Sequence, residues 1–184
     1  MTNEQLILGC IEGNRIAQKL LYEKYSRQMY GICLRYCKRN DLAGDALQAG
    51  FVKVFKSIKQ FKGEGELGAW IRMIIVRTSL SLIKVEKKHD SVELGEGSSG
   101  FIEMEFDIDL DKFDYKRMLE HLERLPQGYR LVFSMNVFDE MPHKDIAKVL
   151  KISENTSRSQ LLKARKMLQK SIMNDDYLMK NYMK

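Results

Sequence analysis

The stretch PHKDIAKVLKISENTSRSQLLKARKML (residues 142–168) decides the reading of this chain. Pro142 opens a short helix to Leu150, whose inner face is Ile146, Ala147 and Leu150. Lys151–Ile152 form a tight turn, and Ser153 caps a second helix running to about Lys170. The small Ala147 lets the second helix come close, and Ile152 plugs the corner. Leu161, Ala164 and Leu168 face inward, which leaves Asn155, Arg158, Ser159, Lys163 and Arg165 on other faces. Such a helix-turn-helix fits a DNA major groove: polar residues of its first turns reach base edges, and later cations meet phosphates. Arg158 is the candidate for a base contact, because its planar fork can bond two guanine acceptors. Lys163, Arg165 and Lys166 suit phosphates. A helical hairpin with a solvated basic face has the same spacing.

Upstream, helical spacing returns at Phe113, Met118, Leu119, Leu122 and Leu125, and Pro126 opens a helix with Leu131, Val132 and Met135. Residues 86–111 lack this periodicity. Glycine, serine and acid dominate there, the composition of a flexible linker. The first 85 residues predict four helices. Thr2 and Gln5 form a capping box for one ending near Glu12. Asn14 caps a long second helix with Ile16, Leu20, Leu21, Tyr25, Met29, Ile32 and Tyr36 inward. Asp41 caps a third to Ile58, with Leu47, Phe51, Val54, Phe55 and Ile58 on one face. The glycine-rich segment Phe61–Gly68 is a loop, and a fourth helix from about Ala69 to Val85 buries Ile71, Ile74, Ile75, Thr78 and Leu82. The expected fold is therefore all-α, with two small helical domains: residues 1–88 and 112–174, joined by an acidic linker over 89–111 and followed by a tail over 175–184.

Charge is segregated along the same lines. Residues 1–88 carry net +8, residues 89–111 net −8, and residues 143–170 net +6, within a chain of net +6. Two cationic modules flanking an anionic connector suit two surfaces that face a polyanion. No apolar run approaches the roughly 20 residues of a membrane span, and the N-terminus lacks a basic stretch before its short apolar segment. Cys10, Cys33 and Cys37 lack metal-ligand spacing. The expectation is a cytoplasmic protein without membrane insertion, metal or cofactor. No paired carboxylates, nucleophile–base set or phosphate-binding glycine loop stands out, so no catalytic residue is assigned. His89, His121 and His143 are scattered, and His143 is expected to face solvent.

Taken in order, residues 21–80, the acidic linker, and residues 122–168 resemble extracytoplasmic-function (ECF) sigma factors. That resemblance implies a subunit that binds core RNA polymerase and takes it to promoter DNA. Its first domain would read the minus-ten element and its second the minus-thirty-five element. By position, Asp45, Gln48 and Phe51 match the surface that docks on the clamp helices of the β-prime subunit, and the second domain would meet the β flap. Gly44 and Ala49 stand where the family has acids. Phe61, Lys62 and Gly63 match the loop that captures a flipped base, whose Watson–Crick edge is then readable. Trp70 reads as a packing residue. Arg77, Lys84 and Lys88 form one basic stripe on the fourth helix, where the family has asparagine at Arg77 and aspartate at Ser81. Asn155, Thr156, Arg158, Ser159, Leu162, Lys163 and Arg165 match the face toward the minus-thirty-five DNA, with Asn155 in place of a glycine. The connector would occupy a basic-walled polymerase channel, or serve as a tether that stays off DNA. Such proteins are often held by an anti-sigma partner. The competing readings are a stand-alone helix-turn-helix transcriptional regulator, and an adaptor that uses its charge for RNA association.

Overall fold

The computed structural model describes residues 2–89 and 115–175. The chain divides into two compact units, Met1–Val92 and Glu93–Lys184. Every regular element among the described residues is helical. Nearly all of the expected linker and tail lies outside the described residues.

The first unit holds α1 (Asn3–Ile11), α2 (Arg15–Tyr36), α3 (Asn40–Ser57) with a 3-10 turn at Ile58–Gln60, and α4 (Leu67–His89). The capping box of α1 forms as read: Thr2 Oγ1 accepts from the Gln5 amide at 3.2 Å, and Gln5 Oε1 accepts from the Thr2 amide at 2.9 Å. Asn14 Oδ1 caps α2 by accepting from the Ile16 and Ala17 amides. Asp41 does not cap α3. Arg39 is the N-cap residue but its side chain makes no capping bond, while Asp41 sits inside the first turn, paired with Arg39 and accepting from the Leu42 amide. Those two contacts hold its carboxyl down at about 2.

The inner face of α2 is Ala17, Leu21, Met29, Ile32, Cys33 and Tyr36. Ile16 and Leu20, expected inward, are 70% and 38% exposed. The cause lies in the neighbouring helix. A Cβ on Gly9 would stand 2.6 Å from Ala17 Cβ, so α1 presses on α2 at Ala17 and selects the stripe one residue further round. The same close approach recurs between α3 and α4, where a Cβ on Gly50 would meet Ile75 Cδ1 at 2.4 Å. Helix α4 turns Ile71, Ile75, Val76, Thr78, Ser79, Leu80 and Ile83 inward, leaving Ile74 and Leu82 half-buried. Its buried hydroxyls bond their own helix, Thr78 to the Ile74 carbonyl at 2.8 Å and Ser79 to that of Ile75 at 3.0 Å. The three free cysteines are buried, and burial pushes the Cys33 thiol up to about 11.

The second unit holds α5 (Tyr115–Glu123), α6 (Gln127–Phe133) passing into a π-helical turn at Ser134–Phe138, α7 (His143–Leu150) and α8 (Glu154–Met173). Pro126 and Pro142 are the N-cap residues of α6 and α7, where the missing amide proton costs nothing. The turn between α7 and α8 is left-handed at Lys151 (φ 58°), and the Ile152 amide reaches back to the Ala147 carbonyl at 3.1 Å. Ile146, Leu161, Ala164 and Leu168 are buried with Leu122, Leu125, Val132, Phe133 and Met135 as the apolar core of this unit.

Candidate nucleic-acid and polymerase interface

Ser153 starts α8 by accepting from the Thr156 amide at 2.9 Å, and its hydroxyl also lies 2.8 Å from Thr156 Oγ1. Thr156 is thus part of the cap and half-buried, while Ser159 donates to the Thr156 carbonyl at 3.0 Å. Beyond them, Asn155, Arg158 and Arg165 are exposed, and Leu162 and Lys163 are half-buried beside them. Arg158 and Arg165 are seven residues apart on one side, about a quarter of the way round the helix from buried Ser157, Leu161, Ala164 and Leu168. A helix with its base-reading candidates outward and its apolar residues inward presents the surface a major groove accepts. In the free protein the Arg158 guanidinium pairs with Glu154 at 2.5 Å.

His143 does not face solvent as expected. It is half-buried, with Nδ1 2.8 Å from the hydroxyl of fully buried Ser157. Burial lowers its pKa, Arg158 and Arg165 lower it further, and Glu154 opposes them. His121 is 2% exposed and lies between Ser171 Oγ at 2.7 Å and Asp175 Oδ2 at 3.2 Å. Arg117 grips the other oxygen of Asp175 at 2.7 Å, so α5 is tied to the end of α8. Neither histidine contact has a sequence signal, since the partners lie 14 to 54 residues away.

In the first unit, the loop after α3 takes left-handed angles at Gly63 (φ 78°) and Gly65 (φ 83°), which residues with a Cβ adopt only under strain. Lys62 and Gly63 are exposed. Phe61 is half-buried, its ring 5.5 Å from that of Trp70, so both pack at the base of the loop. Arg77 and Lys84 stand exposed on α4 opposite its buried stripe. Lys88 is in α4, but its side chain lies outside the described residues. On α3, Asp45 and Gln48 are exposed. Phe51 is not. It is 2% exposed, edge-on to Tyr22 at 4.8 Å and beside Phe55 at 6.0 Å. The structure thus places Phe51 in the core of the unit, where its spacing from Leu47 and Val54 pointed, and not on the surface with Asp45 and Gln48. Among the described residues no cluster of three or more histidines, cysteines or carboxylates could hold a metal, and no helix is long and apolar enough to cross a membrane.

Two family descriptions match, in order: Sigma-70 region 2 over residues 21–89 and Sigma-70, region 4 over residues 115–168, together two thirds of the chain. The chain is 25% identical over 182 residues to the ECF RNA polymerase sigma-E factor of Haemophilus influenzae, covering 94% of this chain and 96% of that protein. This chain belongs to the ECF sigma factors. To the RNA polymerase sigma-H factor of Pseudomonas aeruginosa this sigma factor is 22% identical, over 92% of its own length and 93% of the relative's. Two solved structures share the fold. One is CnrH in complex with the cytosolic domain of CnrY (TM-score 0.54, 17% identity, 93% and 97% of the two chains). The other is the sigma factor RpoE in complex with the anti-sigma factor NepR from Bartonella quintana (TM-score 0.56, 18% identity, 85% and 97%). Region 2 of this sigma factor contains the Phe61–Gly65 loop and the α4 stripe, and region 4 contains all of α7 and the outward residues of α8.

Proposed function

We propose that this ECF sigma factor binds core RNA polymerase in the cytoplasm and directs it to promoters through two separate DNA surfaces. One is the Phe61–Gly63 loop with Arg77, Lys84 and Lys88, placed at the minus-ten element. The other is the outer face of α8, from Asn155 to Arg165, placed at the minus-thirty-five element. Asp45 and Gln48 supply the polymerase contact on α3. The domain limits that go with this assignment are residues 1–88 and 112–174. The observation that carries the reading is the order of region 2 and region 4 on two helical units, each with a cationic exposed face. RpoE of Bartonella quintana is seen with an anti-sigma factor, and a protein inhibitor of that kind is the expected regulator here.

Transcription in vitro with purified core polymerase over a promoter library tests the whole reading. The chain should join core polymerase stoichiometrically and confer a promoter preference. Tight operator binding by the isolated chain, with no association with polymerase, would instead identify a stand-alone helix-turn-helix regulator. Arg158→Ala should cost about 1–3 kcal/mol of discrimination at one minus-thirty-five position and leave core binding unchanged.

A further inference from the structure

The first turns of α8 carry no buried apolar side chain, and Gln160 lies against Gly128 of α6. Among residues 154–160, Ser157 alone is buried; the apolar anchors Leu161, Ala164 and Leu168 come later. Ser157 has no apolar mass to hold it there. Its hydroxyl meets the His143 imidazole at 2.8 Å, and His143 is the first residue of α7. A buried hydroxyl is costly without a partner, so this bond fixes where the start of α8 lies against the start of α7. The next residue along, Arg158, is the exposed guanidinium assigned to base recognition.

We infer that His143 is a positioning residue for promoter recognition, its hydrogen bond to Ser157 setting the rotation at which α8 presents Asn155 and Arg158 to base edges. The inference rests on the proposed reading of α8 as the minus-thirty-five surface. The charges around the imidazole are Arg158, Arg165 and Glu154 from α8, and Lys144 and Asp145 on its own helix. Burial and the arginine beside it favour the neutral ring, so at neutral pH His143 acts through geometry rather than as another cation for phosphate.

The test is promoter-directed transcription by holoenzyme carrying the full chain, measured over single-base changes of the minus-thirty-five element, with core affinity and thermal melting measured alongside. His143→Ala and Ser157→Ala should each lower initiation at the preferred element about tenfold and flatten the preference, with core affinity unchanged. His143→Asn keeps a polar atom near the place of Nδ1 and should restore most of the loss. The double variant His143→Ala/Ser157→Ala should be no worse than either single one, because both remove the same bond. An unchanged preference in His143→Ala, additive losses, or His143→Asn as poor as a folded His143→Ala would overturn the inference. If His143→Ala fails to fold, Ser157→Ala and His143→Asn decide the matter. Arg158→Ala runs in parallel: if it keeps the wild-type preference, the reading of α8 itself falls. If it loses that preference while His143→Ala keeps it, only the positioning role falls.

Discussion

Arg158 is exposed yet not idle: its ion pair with Glu154 holds the fork along the helix until a stronger acceptor arrives. An exposed i,i+4 pair of this kind is worth only about 0.3–0.5 kcal/mol, so a guanine edge or phosphate displaces Glu154 at small cost. Phe51 is the opposite case. Its ring is enclosed by Tyr22 and Phe55, and Phe51→Ala should cost about 3–5 kcal/mol of stability, read from thermal or denaturant unfolding. Any loss of polymerase binding in that variant should follow the unfolded fraction and vanish where the variant is fully folded. His143 gives a pH dependence with a definite sign. Its pKa in the fold is below the ordinary 6.5, so the unfolded chain takes the proton first as pH falls. Stability is unaffected well above 6.5 and declines below it. The advantage of wild type over His143→Asn should therefore narrow from pH 7 to pH 5 in chemical denaturation; a constant difference would show that His143 does not titrate this way. The spacing of Phe51 showed its inward place, whereas nothing adjacent to His143 in sequence pointed to Ser157.

At the scale of the element, the glycines of α3 separate into two kinds. A Cβ at Gly44 would meet nothing within 4 Å, so Gly44→Ala should raise stability by up to about 1 kcal/mol through helix propensity alone. A Cβ at Gly50 would strike Ile75, and Gly50→Ala should lower the melting temperature despite the same gain in propensity, since overpacking costs about 1–3 kcal/mol. Composition treats the two as equal helix-weakening residues; the neighbouring helix crowds one of them and leaves the other open. The loop after α3 was legible from its glycines alone, because left-handed angles at Gly63 and Gly65 are a local requirement. The caps of α1, α2 and α8 were legible for the same reason, each being a bond across two or three residues.

Over the whole molecule the dominant pattern is charge: net +8 and +6 in the two flanking stretches against −8 over residues 89–111. DNA binding that rests on such surfaces releases counterions, so the affinity of holoenzyme for promoters should fall steeply with salt. Replacing Glu103, Glu105, Asp107 and Asp109 by lysine should lower core affinity and change promoter escape. Unchanged values for both would leave the connector as a tether whose charge merely keeps it off DNA.

The amino-acid sequence by itself determined the helical class, the division into two units, the helix-turn-helix register and the placement of charge. Each of these depends on residue spacing, local bonds or composition along the chain. Tertiary structure alone decided which of two adjacent apolar stripes of α2 faces inward, that Ile75 packs directly over Gly50, and that His143 and His121 find Ser157, Ser171 and Asp175. Those outcomes depend on how closely one helix approaches another, a distance set by packing across the core and invisible along the chain.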